Sequence, residues 1–140
     1  IVDIDKESGH LDSAFELSGF QENIKDLLLR SDYLIAPAKN EGFGRVIVEA
    51  MRAGVIVIAY SSGGYAEIIQ NNKNGILIKK LDEELFIFSI IKVQNDSELF
   101  RNILHKAHSD SSMNYSVMRH AQSINLIYQS MLKEWGNAID

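Results

Sequence analysis

The chain has 140 residues and is 46% hydrophobic, which suits one compact domain with its own core. Its net charge is -5 without any basic stripe, so we expect no nucleic acid partner. The absence of cysteine excludes disulfides and thiolate metal sites, and the apolar runs are far shorter than the roughly 20 residues that span a bilayer. Because the sequence opens at Ile1 inside an apolar piece, we expect a fragment of a longer protein, and the lack of cysteine suits a reducing, cytoplasmic location.

The first half alternates between short apolar runs and amphipathic stretches, which predicts strands that alternate with helices. Pro37 stops one strand because proline cannot donate to a ladder, and Gly54 stops the helix before the most apolar strand. Asn74-Gly75 marks a turn before the last strand, and Asn71–Asn74 is interpreted as a solvated turn. The predicted strands are Ala14–Leu17, Tyr33–Ala36, Val55–Tyr60 and Ile76–Ile78, and the predicted helices are Glu22–Arg30, Arg45–Arg52 and Tyr65–Gln70.

The second half is helical in pattern. We predict helices over Asp82–Val93, over Ser97–His108 with Asp96 or Ser97 as its cap, and over about Ser116–Trp135. Strands that alternate with helices predict parallel pairing through right-handed crossovers. The expected fold class is α/β, a doubly wound, Rossmann-like parallel sheet with a helical C-terminal tail.

Ligands of doubly wound sheets bind beyond the C-terminal ends of the strands. That rule selects three loops, Gly19–Glu22, Pro37–Gly44 and Ser61–Gly64. In the second loop Gly42 and Gly44 flank Phe43 where a strand gives way to a helix. Free N–H groups and the positive end of a dipole at such a helix start are suited to a phosphate.

Two carboxylates border this helix start. Glu41 precedes it and Glu49 lies about one turn inside, so both can face one crevice and accept bonds from paired sugar hydroxyls. Arg45 adds positive charge there or is solvated. From spacing alone, ordinary loop and surface roles for both glutamates are favoured. A glycosidase pair fits poorly, because its carboxyl groups face each other across one bond.

Several neighbouring motifs occur together: the turn and helix NEGFGRVIVEAMRAG with its Glu-x7-Glu spacing, the Gly-Gly-x-x-Glu of GGYAEII, the preceding FELSGFQENIKDLLLRSD and the final SINLIYQSMLKEW. In this combination the chain resembles the C-terminal, donor-binding domain of retaining glycosyltransferases of the GT-B architecture, family 4 in particular. The resemblance covers nearly the whole chain and favours the sugar-donor site over the ordinary roles. Val55 and Ala38 depart from the Pro and Ser that the family usually has there.

The resemblance implies a role for each matching residue. Glu41 would lie against the transferred sugar as the catalytic-site carboxylate, and Glu49 would bind the ribose hydroxyls. Phe20 would lie near the base of a UDP- or GDP-sugar. Backbone N–H groups of Phe43 and Gly44 would meet sugar hydroxyls or phosphate, and those of Arg45 and Val46 would meet the diphosphate. Gly42 belongs to the same donor-binding turn, and Gly63 and Gly64, supported by Glu67, would line the site from the next loop.

The resemblance also implies what this chain lacks. An N-terminal domain would bring the acceptor site and any membrane association, and an Arg/Lys pair for the diphosphate would come from earlier strands. No cofactor or metal is implied, and His105 and His108 are expected at the surface. A non-catalytic nucleotide-sugar-binding module and, less favoured, a sugar-nucleotide epimerase remain as alternatives.

Overall fold

The core of the chain is a parallel sheet with helices on both faces. The computed structural model describes residues 18–137, with side chains through Trp135. In this part of the chain the central strand pairs in parallel with a strand on each side, which confirms the predicted doubly wound class. The elements are β1 (Tyr33–Ala36), β2 (Ile56–Tyr60), β3 (Ile76–Ile78), α1 (Lys25–Leu28), α2 (Arg45–Ala53), α3 (Gly63–Ile68), α4 (Glu83–Asn95), α5 (Ser97–Asn114) and α6 (Val117–Asn137).

Strand β2 is the centre of the sheet and is buried on both faces. Its side chains alternate between two apolar clusters. Val57 and Ala59 pack towards α2 and α3, whereas Ile56 and Ile58 pack towards α4 and α5. A strand covered on both faces is a continuous apolar run rather than an alternating one, which is why the sequence predicted this strand so clearly.

Helix α2 is the best predicted of the helices. It begins after Gly44 and ends at Gly54, and both glycines have left-handed backbone conformations. Its buried side chains include Ile47 and Met51, both fully enclosed between the sheet and α5. The amphipathic spacing and the C-terminal glycine therefore gave the correct bounds to within one residue.

Other helix ends differ from the prediction, because contacts that a local pattern does not show decide them. Helix α1 is shorter than Glu22–Arg30: Asn23 Oδ1 accepts from Lys25 N at 3.0 Å, and Arg30 N bonds a carbonyl three residues back. The stretch Ala14–Leu17, predicted as a strand, lies outside the described residues.

Helices α3 and α5 also differ at their ends. Helix α3 begins at Gly63 rather than Tyr65 and ends at Ile68. Helix α5 continues past His108 to Asn114, where buried Ser111 and its neighbours pack on α2. Of the two residues predicted as candidates for the N-cap of α5, Asp96 is the cap, because the Asp96 carboxylate accepts from Leu99 N at 2.9 Å.

The interpretation of Asn74 as part of a solvated turn is wrong. Asn74 is 2% exposed, whereas positions 71–73 of the same turn are exposed. Its amide donates to Asp110 Oδ2 at 2.9 Å and its carbonyl oxygen accepts from Gln70 N at 2.7 Å. Asp110 is 5% exposed and pairs with Lys106 at 2.7 Å. This polar cluster fastens the turn before β3 to α5.

Helix α6 makes the final element and its side chains from Val117 to Trp135 are exposed. Trp135 and Tyr128 are 74% and 62% exposed. Among the described residues, no helix combines the length and the apolar character needed to cross a membrane.

Candidate functional site

The predicted site is a turn over residues 41–44 that joins the C-terminal end of β1 to the start of α2. The next loop, after β2, lies directly beside it. Gly64 N donates to Glu41 O at 2.9 Å, and Asn40 N donates to Ser62 Oγ at 3.0 Å. The structure therefore brings together two of the three loops that topology selected, at the carboxyl edge of the sheet where ligands of such folds bind.

The two glycines of the second loop are required by this close approach. A Cβ on Gly63 would lie 2.2 Å from Glu41 O, and one on Gly64 would lie 2.3 Å from Gly42 O. Gly64 is buried beneath the turn, while Gly63 is exposed beside it. The Gly-Gly pair thus acts as a flat backbone support for the turn, and its predicted contact with a bound sugar donor stays a prediction.

Gly44 sets the direction in which α2 leaves the turn. It has φ +73°, a conformation that L side chains rarely adopt, and a Cβ there would lie 2.6 Å from Tyr65 Cε1. Tyr65 is 3% exposed; burial, and to a smaller extent the charge of Glu41, raise the pKa of its hydroxyl. The sequence did not predict that Tyr65 would lie beside Gly44, because an aromatic side chain at this position is equally consistent with an ordinary core residue.

The two glutamates have different surroundings. Glu41 is half-buried within the turn. Glu49 is half-buried on α2, one turn inside the helix, and pairs with Arg45 at 3.8 Å. The Arg45 side chain is 85% exposed, so this pair adds little to stability, and it places a positive charge at the helix start.

Glu49 also forms part of the wall of a cavity of about 540 Å³ between α1 and α2. That volume lies within the range typical of small-ligand sites. Phe20, predicted to lie near a base, is 90% exposed and does not line the cavity. The sequence did not predict the cavity, whose lining residues are Glu22, Asn23, Ile24, Lys25, Leu28, Leu29, Glu49, Arg52 and Ala53.

The match to a family of known proteins shows to which family the chain belongs. The family model for glycosyl transferases group 1 matches residues 7–110, which include β1, β2, β3 and the whole turn. The chain belongs to the glycosyl transferases group 1 family.

Individual relatives of this glycosyltransferase chain agree with the family. It is 30% identical over 110 residues to the lipopolysaccharide core biosynthesis mannosyltransferase LpcC of Rhizobium leguminosarum bv. viciae. The aligned residues make up 79% of this chain and 31% of the relative. It is 37% identical over 68 residues to the N-acetyl-alpha-D-glucosaminyl L-malate synthase of Bacillus anthracis, covering 49% of this chain and 18% of the relative. The chain therefore spans less than a third of each of these relatives.

Solved structures show the same fold. HepE of Anabaena in complex with UDP-glucose superposes with a TM-score of 0.73 at 29% identity, over 80% of this chain and 31% of that one. The C-terminal domain of the group 1 glycosyl transferase LpcC of Francisella tularensis superposes with a TM-score of 0.64 at 25% identity, over 71% of this chain and 52% of that one.

Besides the position of Tyr65, the sequence reasoning missed the contacts of Tyr115 and Arg52 at this site of the glycosyltransferase chain. The ring of Phe43 meets the ring of Tyr115 edge-to-face, with centroids 5.8 Å apart at 66°. Arg52 Nη2 donates to Tyr115 O at 2.7 Å and to Ser111 O at 3.1 Å. Burial, followed by the charges of Asp110 and Glu67, raises the pKa of Tyr115. No local motif signals these contacts, because the partners lie 59 and 63 positions apart in the chain.

Proposed function

We propose that this chain is the donor-binding domain of an enzyme that transfers a sugar from a nucleoside diphosphate sugar to an acceptor with retention of configuration. One observation carries the proposal: a left-handed glycine at the start of α2, with a glutamate one turn inside that also borders a ligand-sized cavity. A diphosphate suits the helix start and a ribose suits the carboxylate.

In this proposal the parts of the donor lie in order along the turn and α2. The sugar lies against Glu41, and the diphosphate meets the backbone N–H groups from Phe43 to Val46. Glu49 accepts bonds from the ribose hydroxyls, and the base lies on the side of the cavity and Phe20. The complexes of HepE with UDP-glucose and with UDP support a nucleotide sugar, and we propose UDP or GDP as its nucleotide part.

Charge stabilisation at the leaving group is the chemistry that this chain would supply. As the bond to the sugar breaks, negative charge develops on the nucleoside diphosphate. The first turn of α2 has N–H groups without helical partners and the positive end of a dipole, which favour that charge. Glu49 offsets part of the charge of Arg45, so we propose that further cations come from outside this chain.

We also propose the wider setting of the domain. The chain would be one half of a family 4 enzyme in the cytoplasm, completed by earlier strands and an N-terminal domain that holds the acceptor. Helix α6 supports this, because its exposed apolar side chains are suited to covering by another domain.

The test is a pair of substitutions in the complete protein, Glu49→Ala and Glu41→Ala, with Glu83→Ala on the opposite face of the sheet as a matched control. Hydrogen bonds to a charged group contribute about 1.5–3 kcal/mol, so Glu49→Ala should raise the KM for UDP-glucose or GDP-mannose about 10- to 150-fold. Glu41→Ala should instead lower kcat. The Glu83→Ala control should leave both constants unchanged.

Distinct outcomes separate the alternatives. An unchanged KM for the sugar donor in Glu49→Ala would contradict the ribose assignment, and a normal kcat in Glu41→Ala would contradict the sugar-side role. A wild-type protein that binds the nucleotide sugar without turnover would be a non-catalytic module. The anomeric configuration of the product, read by NMR, tests retention.

A further inference from the structure

Tyr115, at the junction of α5 and α6, is in contact with the turn that carries the proposed sugar-donor site. Its ring packs edge-to-face on Phe43, which is 51% exposed and has no other ring contact among the described residues. Phe43 stands one residue before Gly44, whose left-handed conformation starts α2. The ring contact therefore acts on the part of the turn whose N–H groups face the proposed diphosphate.

Tyr115 is itself held by the helix that the turn begins. Arg52, in the last turn of α2, donates to the Tyr115 carbonyl oxygen at 2.7 Å and to Ser111 O at 3.1 Å. Cations are favoured at a helix C-terminus, where carbonyl groups lack helical partners. Phe43 and Tyr115 are therefore connected twice. Their side chains touch directly, and α2 connects Phe43 to Arg52, which bonds the Tyr115 backbone.

The two ends of the turn are thus fixed by different means. The start of the turn is held by two hydrogen bonds with the loop after β2. Asn40 N, one residue before the turn, donates to Ser62 Oγ, and Gly64 N donates to Glu41 O. Its last residues have the ring contact with Tyr115 and the packing of Tyr65 against Gly44. Loss of the Tyr115 ring would free the Phe43 side chain and with it the backbone N–H groups on either side of that residue.

We propose that Tyr115 is a positioning residue for the sugar donor, which acts through Phe43 by holding the Phe43–Gly44 backbone in the geometry that binds the diphosphate. The inference rests on the proposed function and adds a residue from the far end of the domain to its site. The ring, rather than the hydroxyl, performs this role, because Tyr115 and Phe43 meet through their two rings.

The experiment compares Tyr115→Ala, Tyr115→Phe, Phe43→Leu and the double variant Phe43→Leu/Tyr115→Ala in the complete protein, with UDP-glucose or GDP-mannose, whichever the wild type binds. Aromatic edge contacts have the strength to change affinity about two- to tenfold, so Tyr115→Ala should raise the KM for the sugar donor by that factor. kcat and the KM for the acceptor should stay within about twofold. Tyr115→Phe should have wild-type values. The double variant should have a KM for the sugar donor no higher than that of the single variant with the higher KM.

Phe88→Ala is the control, since Phe88 is a 63% exposed aromatic on α4 and takes no part in the site. A lower melting temperature for Tyr115→Ala with an unchanged KM for the sugar donor would overturn the inference, as would additive effects in the double variant. If Tyr115→Ala does not fold, Phe43→Leu carries the test alone, because its half-exposed side chain can be shortened without opening the core. A wild type that binds neither nucleotide sugar would refute the proposed function and this inference together, whereas the other outcomes refute this inference only.

Discussion

Gly64→Ala tests whether the loop after β2 supports the turn over residues 41–44. The added Cβ would lie 2.3 Å from Gly42 O and 2.8 Å from Phe43 O, both backbone atoms that cannot rotate away. The shorter contact falls more than 1 Å short of an ordinary one. The turn must therefore move, and the 2.9 Å bond from Gly64 N to Glu41 O is stretched with it.

The size of the effect follows from three opposing contributions. Overpacking costs about 1–3 kcal/mol, and the lost hydrogen bond about 1 kcal/mol. Alanine in place of glycine in a helix returns up to about 1 kcal/mol. The free energy of unfolding should fall by about 1–3 kcal/mol, and affinity for the nucleotide sugar should fall because the moved turn carries the proposed site.

Urea denaturation followed by circular dichroism measures the free energy of unfolding, and calorimetric titration with the nucleotide sugar measures affinity. Gly42→Ala is the matched control for stability, because a Cβ there meets no atom within 4 Å. Wild-type stability in Gly64→Ala, or an equal loss in Gly42→Ala, would show that the close approach of the two loops is not what holds the turn.

Three further predictions concern the same region and its supports. Asn74→Ala removes the bonds to Asp110 and to the backbone, and it should lower the free energy of unfolding by about 2 kcal/mol. Lys73→Ala, in the exposed part of the turn, should not lower it. Equal free energies of unfolding for the two variants in urea titrations would contradict the role of the buried polar cluster. Gly44→Ala should lower the free energy of unfolding more than Gly54→Ala in the same assay. Both glycines have positive φ, but only a Cβ at position 44 would also meet the Tyr65 ring. Equal losses of stability would show that this contact does not contribute. Burial raises the pKa of Tyr65 in the folded state, so the unfolded chain releases this proton first, and stability should fall as pH rises above about 10. Tyr65→Phe should make the free energy of unfolding depend less on pH in this range. An unchanged pH dependence would refute the burial argument.

The sequence predicted most of the sheet and of α2, because those elements are specified locally. A run of β-branched residues between two turn signals leaves few alternatives to a buried strand, and β1 and β3 have the predicted bounds. The turn over residues 41–44 was located by the same reasoning, since its glycines stand where a strand passes into a helix.

What the sequence did not predict depends on residues that are far apart in the chain. Asn74 reads as a surface residue until α5 brings Asp110 to it. Helix α5 was ended too early because its polar last turns are poor helix formers and are stabilised by packing on α2. Tyr115 carries no local signal of any kind, and its place beside Phe43 follows only from the folded domain.

The bonds from Arg52 to the end of α5 also bear on how the domain folds during synthesis. Arg52 cannot meet Tyr115 until 63 further residues have been added to the chain. At about 5–20 residues per second, that is an interval of about 3–13 s, during which β2, β3, α4 and α5 are still being synthesised. The side of α2 that packs on α5 in the folded domain therefore lacks that partner until the end of α5 has been made.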